Sequence, residues 1–306
     1  MESTTRIYEY TSAANIKLSQ VPVMVHSNKL YQYGPTRIIP FDLKEYLGYD
    51  YKATSPNLLA SFIKILSNEK INTDAKATSQ AFYIIKGKGK SLVKEFGKEE
   101  KYTLSVEWSE GDLFVTPCTR EQIEHEALED SAIYWITDEP LLKYLGVIPS
   151  EQKFLTTHFK KQTMLDEVEI ISNQPDSQHR NRMGILLGNE ATENTTKTLT
   201  HVLWSLLNVL PSGQVQRPHK HNSVALDLCI SAKSEGVYTL MGKELDDDGW
   251  VKDPIRCEWT SGSVFITPPG WWHSHHNETD EAAWVLPIQD AGLYTNQRTL
   301  DIRFSN

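Results

Sequence analysis

The sequence has few cysteines, no long apolar segment and no excess of positive charge. Its three cysteines are an odd number at wide spacing, which predicts reduced core thiols and no disulfide framework. No run of about 18 apolar residues occurs, so no membrane-spanning helix is expected. The first twenty residues have neither a basic start nor an apolar core, so no secretory signal is expected and a cytoplasmic location is favoured. The net charge of −9 disfavours nucleic acid and anionic membranes as main partners.

Helical patterning is also scarce and is found mainly near residues 41–47 and 138–145. Elsewhere, short runs rich in β-branched and aromatic residues alternate with glycine, proline and asparagine. Examples are AFYIIKG, DLFVTP, AIYWIT, GVYTLMG, SVFITPP and AWVLPI. This pattern predicts an all-β fold of the sandwich or barrel type with few short helices.

The chain contains an internal repeat. AKATSQA at 75–81 aligns with HKHNSVA at 219–225, and EWSEGDLFVTP at 107–117 aligns with EWTSGSVFITP at 258–268. Similar segments in the same order indicate duplication of one supersecondary unit. We therefore predict four parts of the chain: an N-terminal arm at 1–39, a first barrel at 40–150, a linker at 151–184 and a second barrel at 185–306.

Five of the ten histidines lie in two short clusters of the second half, PHKHNS and PPGWWHSHHN. Because side chains alternate along a strand, His219 and His221 face the same side. His273 comes from a later strand, after a turn rich in proline and glycine. Imidazoles from two strands can converge on one cation from one side and leave its other side open. Imidazole suits iron, copper, zinc or nickel, so these three histidines are predicted to bind one divalent metal.

The same segments resemble the two motifs of the cupin superfamily. Gly213, His219 and His221 resemble the first motif. The second motif is matched at every spaced position, by Gly262, Pro268, Gly270, His273 and Asn277. The resemblance implies that each half of the chain is a cupin barrel, a double-stranded β-helix of the jelly-roll type.

The pattern departs from the commonest cupin after the histidine pair. A glutamate usually follows four or five residues later, and here those positions are Ala225 and Leu226. Asp227 shares the inward parity of His221 but lies one step further along the strand. It is expected to be a paired carboxylate within the barrel, a partner of substrate or of another site residue, or a metal ligand.

In the first repeat, the aligned positions carry no imidazole. The sequence alignment places Ala75 and Ala77 opposite the histidine pair, Gln122 opposite His273, and His125 opposite His276. A site without its three imidazoles cannot bind a transition metal in the same way. The first barrel is therefore predicted to be structural.

A two-cupin chain with three histidine ligands and no glutamate resembles the gentisate 1,2-dioxygenase family, which includes salicylate and 1-hydroxy-2-naphthoate dioxygenases. WWHSHHN resembles the family's W-H-D-H-G-N segment, and PHKHNSVAL resembles its P-H-R-H-T-x-S-A-L segment. The resemblance implies Fe(II) on the three histidines, a substrate that chelates it through a carboxylate and an adjacent ring hydroxyl, ring cleavage by dioxygen, and a homodimer or homotetramer. Zinc, nickel, manganese and copper are alternative metals. The family's iron site is generally in the first cupin, whereas the imidazoles here are in the second.

Further residues are candidates for chemistry beside the metal. His275 matches the second histidine of the family segment and would face the cavity as a hydrogen-bonding or proton-transfer partner, or else lie at the surface. Arg217, two residues before His219, would meet a substrate carboxylate, and Arg182 and Arg256 are weaker candidates. Trp204 and Trp272 would form an aromatic wall, and Gln216 and Gln289 would donate hydrogen bonds; the alternative for each is ordinary packing.

Two other classes of function fit the same motifs. A decarboxylase, lyase or isomerase acting on a small acid or sugar would use the metal as a Lewis acid without dioxygen. A non-catalytic cupin would bind a ligand without converting it, because the fold supports many functions. Oxygen uptake during turnover distinguishes the dioxygenase from both alternatives.

Overall fold

The computed structural model describes residues 4–96, 103–175, 177, 180 and 182–305. The strands of the first half are β1 (Val25–His26), β2 (Arg37–Pro40), β3 (Leu59–Ile65), β4 (Lys70–Thr73), β5 (Ser79–Lys86), β6 (Lys88–Lys94), β7 (Thr103–Ser109), β8 (Leu113–Pro117), β9 (Ile123–Ala127), β10 (Ser131–Thr137) and β11 (Thr157–Phe159). Those of the second half are β12 (Met183–Leu187), β13 (Trp204–Leu210), β14 (Val215–His221), β15 (Ala225–Ser231), β16 (Val237–Gly242), β17 (Ile255–Glu258), β18 (Val264–Thr267), β19 (Trp272–Asn277), β20 (Ala283–Gln289) and β21 (Ile302–Phe304).

Each half of the chain forms a barrel of two antiparallel sheets. In the first barrel the sheets have the strand orders β11-β8-β5-β10-β3-β2 and β4-β9-β6-β7. In the second they have the orders β12-β13-β20-β15-β18-β1 and β17-β16-β19-β14-β21. The N-terminal arm contributes to both barrels, because β1 pairs with β18 while β2 pairs with β3. The predicted all-β architecture of two barrels in one chain is confirmed.

The helices are short. They are α1 (Tyr10–Ala13), α2 (Lys29–Gln32), α3 (Lys44–Leu47), α4 (Glu139–Leu145), α5 (Lys161–Ser172) and α6 (Ala291–Gln297), with a 3-10 turn at Glu190–Thr192. Helices α3 and α4 lie where the sequence pattern indicated them. Helix α5 was not predicted, although Met164 and Val168, one turn apart, are its buried residues. In the described part of the chain, no helix has the length and apolar character needed to cross a membrane.

The two six-stranded sheets, one from each barrel, pack against each other and share a hydrophobic core. Phe62 and Tyr134 of the first barrel belong to the same buried cluster as Leu226, Leu286 and Ile288 of the second. The hydroxyl of Tyr134 also donates a hydrogen bond to the backbone carbonyl of Leu226 (3.3 Å). The two barrels are therefore joined by apolar packing across a broad face. The cysteines Cys118, Cys229 and Cys257 are buried and free, as predicted.

The interior of the first barrel is filled mainly by apolar side chains. Phe82, Phe114 and Trp135 stack within it, with ring centroids 4.7 Å apart for the first pair and 6.0 Å apart for Phe82 and Trp135. Ile63 and Ile133 belong to the same buried cluster. Such packing leaves the first barrel with an ordinary hydrophobic core.

Strand registers correct the predicted correspondence between the repeats. His125 lies opposite Ser91 on β6, and His275 lies opposite Thr239 on the equivalent strand β16. His125 is therefore the counterpart of His275 and not of His276. The sequence alignment, anchored at the segments 107–117 and 258–268, loses register by one residue in the turns that follow them.

The same registers identify the counterparts of the predicted metal ligands. In the first barrel Thr73 pairs with Ile123, and at the corresponding position of the second barrel His219 pairs with His273. The counterpart of His273 is therefore Ile123 and not Gln122. Neither Thr73 nor Ile123 offers the nitrogen donor of an imidazole.

Candidate metal centre

Two neighbouring strands of the second barrel bring three imidazoles together. His219 and His221 lie on β14, and His273 lies directly opposite His219 on β19. The ring centroids of His219 and His273 are 4.0 Å apart, and those of His221 and His273 are 5.0 Å apart. One nitrogen from each ring lies within 4.8 Å of the others, and this is the single such group of potential ligands among the described residues.

Burial keeps these rings neutral. It lowers the pKa of His221 to about 4 and that of His219 and His273 well below the usual value. Neutral imidazole is the form that binds a metal ion, because a lone pair must be available. Desolvation therefore prepares the three side chains for coordination at neutral pH.

Backbone carbonyls orient two of the three rings. Nδ1 of His221 donates to the carbonyl of Ser223 (2.9 Å), and Nδ1 of His273 donates to the carbonyl of Trp271 (3.0 Å). With hydrogen on Nδ1, the lone pair of each ring is on Nε2. A hydrogen bond of this kind fixes both the tautomer and the orientation of a metal-binding histidine. The donor set therefore fits a divalent transition metal.

Arg182, just before β12, lies beside the triad. Its Nη2 contacts Nδ1 of His219, and its positive charge lowers the pKa of all four histidines around it. Burial lowers the pKa of Arg182 itself to about 9. A guanidinium beside a metal ion would place two cations together, so this arrangement favours an anionic ligand between them. The sequence identified Arg182 as a secondary candidate only.

The triad lies in a cavity of about 270 Å³. Besides the triad and Arg182, four of the sequence-predicted site residues line it: His275, Trp204, Asp227 and Gln289. Ile302 and Phe304 of the C-terminal strand β21 also line it, and the Phe304 ring stacks on His219 with centroids 5.9 Å apart. The sequence pattern did not indicate these two residues as part of the site, although IRF has the character of a short strand.

Arg217 does not lie in this cavity, which corrects the prediction. Its guanidinium stacks over Trp250 (4.8 Å to the ring centroid) and donates to the backbone carbonyl of Asp248 (3.1 Å). The cause is a break in register between Gln216 and His219. Gln216 pairs with His275 and His219 pairs with His273, so β14 advances three positions where β19 advances two. A β-bulge of this kind reverses the facing of the residues before it, so the parity with His219 is lost.

Three other candidates also lie outside the cavity. Gln216 is buried but donates to Asn208 Oδ1 (3.4 Å) and to the backbone carbonyl of Val209 (3.3 Å). Trp272 faces away and carries the ammonium of Lys220 over its ring (4.7 Å). Arg256 forms a surface ion pair with Glu258. These residues have the packing and ion-pair roles that were the stated alternatives.

Asp227 is a buried carboxyl group within the cavity. Its single hydrogen bond in the described part of the chain comes from the hydroxyl of Thr267 (2.6 Å). Desolvation raises its pKa to about 7, and the Thr267 hydrogen bond opposes that rise. It does not belong to the group of nitrogens that could share one metal ion. Among the described residues Asp227 has no charged partner, so it is not the paired carboxylate that was expected from the sequence.

Gln289 is linked to the triad through a serine. The hydroxyl of Ser223 donates to Gln289 Oε1 (2.6 Å), and the Ser223 carbonyl accepts from His221. His275 lies beside the triad, with Nδ1 2.8 Å from the hydroxyl of Thr239, and its ring centroid is 5.7 Å from that of His273. The neighbour His276 lies outside the cavity, where it stacks on Tyr238.

The fold is that of a bicupin, a protein with two cupin barrels in one chain. It is similar to salicylate 1,2-dioxygenase from Pseudoaminobacter salicylatoxidans with gentisate, at a TM-score of 0.71, 13% identity and coverage of 97% of this chain and 90% of that chain. A mutant of that enzyme in complex with gentisate gives a TM-score of 0.72 at 12% identity, covering 98% and 92% of the two chains. A cupin 2 conserved barrel domain protein from Leptotrichia buccalis gives 0.51 at 14% identity, covering 89% and 97%.

No protein-family model and no curated protein sequence matches the chain. The solved structures share its architecture at low sequence identity, so they establish the fold. The sequence-based resemblance to gentisate 1,2-dioxygenase-like bicupins is confirmed at that level.

Proposed function

We propose that the second barrel is the active site of a metal-dependent dioxygenase that opens the ring of a hydroxylated aromatic acid of the gentisate or salicylate type. The observation that carries this proposal is the convergence of three neutral imidazoles beside a buried arginine in one cavity. The cavity of about 270 Å³ is near the lower end of ligand pockets, about 300–1,000 Å³, which suits a single-ring ligand.

His219, His221 and His273 would hold the metal, for which Fe(II) is proposed. When bound, Fe(II) would supply open coordination positions where a chelating acid and dioxygen react. Arg182 would pair with the substrate carboxylate, which also offsets the repulsion between the guanidinium and the metal. Trp204 and Phe304 would flank the aromatic ring.

The first barrel is proposed to have a structural role. Its interior is filled mainly with apolar side chains, and its six-stranded sheet packs on that of the second barrel. It would therefore support the strands that carry the site.

The test combines metal analysis with oxygen consumption. Purified protein loaded anaerobically with Fe(II) is mixed with gentisate and, separately, with salicylate, and the iron-to-ligand absorption band is followed before oxygen is admitted. We expect one metal per chain, a new band, and uptake of one dioxygen per substrate consumed. His273→Ala should lose all three, whereas the matched control His276→Ala should retain them because His276 lies outside the cavity. Metal binding without oxygen uptake on either acid would contradict the dioxygenase assignment.

Asp227 favours a second candidate, a metal-dependent lyase, decarboxylase or isomerase acting on a small acid. A carboxyl group whose pKa is about 7 suits general acid–base catalysis at neutral pH. Turnover of such an acid under anaerobic conditions would support this second function and exclude the first.

A further inference from the structure

A hydrogen-bonded chain of two side chains, Trp259 and Thr239, orients His275. The indole Nε1 of Trp259 donates to the hydroxyl Oγ1 of Thr239 (2.8 Å), and the same oxygen lies 2.8 Å from Nδ1 of His275. Thr239 is fully buried, and Trp259 is 2% exposed. The chain therefore lies in the barrel wall, out of contact with solvent.

The first barrel contains the same chain at the corresponding strand positions. Trp108 Nε1 donates to Ser91 Oγ (2.9 Å), and that oxygen lies 2.7 Å from Nδ1 of His125. There, Nε2 of His125 lies 2.9 Å from the hydroxyl of Thr73. The tryptophan–hydroxyl–histidine chain is thus a feature of the duplicated barrel. What differs between the barrels is the surroundings of Nε2.

The hydrogen-bonding capacity of the hydroxyl determines which nitrogen of His275 carries hydrogen. The indole can only donate, so Thr239 Oγ1 accepts from Trp259. If Nδ1 of His275 also donated, the buried hydroxyl hydrogen would need another acceptor, and the described residues provide none. An unsatisfied buried donor costs about 1–3 kcal/mol, so the hydroxyl donates to Nδ1. The hydrogen of neutral His275 is then on Nε2.

His275 lines the cavity, and the described residues form no hydrogen bond with its Nε2. In the first barrel that position is satisfied by Thr73, whose counterpart in the second barrel is His219. The replacement of a hydroxyl acceptor by a predicted metal ligand leaves the Nε2–H of His275 available to a molecule in the cavity.

We propose that Trp259 and Thr239 are positioning residues that hold His275 as its Nε2–H tautomer, so that it donates a hydrogen bond to an oxygen atom of the bound acid or of dioxygen. In this form His275 is neither a fourth metal ligand through Nε2 nor a base. The identity of the acceptor rests on the proposed function, whereas the tautomer does not.

The tautomer can be measured directly by long-range ¹H–¹⁵N correlation spectra of the full-length, metal-free protein with ¹⁵N-labelled histidine. His275→Gln and His125→Gln identify the two sets of signals by their disappearance. In the wild type we expect an unprotonated Nδ1 and a protonated Nε2 for both histidines. A protonated Nδ1 in His275 would overturn the proposal, and this wild-type result requires no variant to fold.

Three variants separate positioning from a general structural effect. Thr239→Val removes the hydroxyl and should let His275 populate the Nδ1–H tautomer, whereas Thr239→Ser, the residue type of the first barrel, should restore the wild-type spectrum. Ser91→Ala removes the equivalent hydrogen bond from the first barrel and should change His125 while leaving His275 unchanged. An unaltered His275 spectrum in folded Thr239→Val would refute the role of Thr239.

Turnover supplies an independent readout. With an acid that is cleaved, Thr239→Val should lower kcat about tenfold with unchanged metal content and little change in KM, and Thr239→Ser should recover kcat. An unchanged kcat in folded Thr239→Val would refute positioning for catalysis. If the wild type cleaves no acid, the proposed function fails, and the tautomer experiment still tests the positioning by Thr239.

Discussion

Replacement of the cavity carboxyl group Asp227 by asparagine should stabilise the metal-free protein at alkaline pH. Asp227 is 5% exposed and receives one described hydrogen bond, from Thr267. Its counterpart in the first barrel is Phe82, because Asp227 pairs with Phe265 where Phe82 pairs with Phe114. A carboxyl group thus replaces an apolar core residue, and an asparagine side chain at this position would keep a similar shape without the charge.

The size of the effect follows from the pKa. Burial raises the pKa of Asp227 from 3.8 to about 7, and each pKa unit corresponds to about 1.4 kcal/mol. Between these two values the folded state keeps a proton that the unfolded chain has released, so the stability of the wild type falls as pH rises through this range. Above pH 7 the full loss is about 4 kcal/mol. Asparagine does not titrate and so avoids this loss.

Urea unfolding of chelator-treated protein, followed by tryptophan fluorescence at pH 4.5 and pH 8, tests this directly. We expect the stability advantage of Asp227→Asn over the wild type to grow by about 3 kcal/mol between the two pH values. Asp112→Asn is the control, because the desolvation of the buried Asp112 is outweighed by hydrogen bonds from the backbone N–H groups of Lys161 and Ser109, which lower its pKa, so its replacement should destabilise to a similar extent at both pH values. A pH-independent difference for Asp227→Asn, or a loss of stability at pH 8, would refute the reasoning.

Three further predictions concern the triad, the arginine and one turn. His219→Ala should lose bound metal while its far-ultraviolet circular dichroism stays native, and stoichiometric metal in this variant would show that the ligand set is wrong. Arg182→Ala should weaken binding of a carboxylate ligand about tenfold or more by calorimetry, whereas Arg217→Ala should change it less than about twofold because Arg217 lies outside the cavity. Gly262→Ala should lower the free energy of unfolding by about 1–3 kcal/mol, because φ is +78° and the new Cβ would lie 2.1 Å from the Tyr31 hydroxyl. Gly213→Ala, also at positive φ but in open space, should lower the free energy of unfolding by less.

The fold and the triad could be predicted because both depend on local patterns. Strand periodicity and turn residues indicate β-barrels, and alternation along β14 places His219 and His221 on one side. The proline- and glycine-rich turn before β19 then brings His273 opposite His219. These inferences need no knowledge of distant contacts except the pairing of two motifs that the cupin pattern supplies.

Parity along a strand fails where the strand is irregular. Arg217 was predicted to face the cavity because it lies two residues before His219, yet the bulge between Gln216 and His219 turns it toward Trp250. Pro218 lies within this bulge, and a proline inside a strand is typical of edges and bulges, so the sequence does carry a signal of the irregularity. The correspondence of His125 with His275 was missed for a related reason, because a one-residue difference in turn length cannot be detected between weakly similar repeats.

The remaining site residues come from segments far away in the sequence. Arg182 precedes β12, and Phe304 belongs to the final strand, which pairs with β14 beside the triad. Neither segment carries a cupin motif. Their positions are set by sheet order, and single-sequence patterns do not determine which strand pairs at an edge.

The sharing of one core by the two barrels explains how the second can hold a partly polar cavity. On β15 and β20, Asp227 and Gln289 face the cavity, while Leu226, Leu286 and Ile288 alternate with them on the opposite face. That opposite face is buried against the first barrel. Because each apolar side chain that is buried contributes about 1.5–3 kcal/mol, the contact between the barrels can offset a buried carboxyl group that costs about 4 kcal/mol when ionised. A barrel without its own metal ligands can thus still support the site of its neighbour.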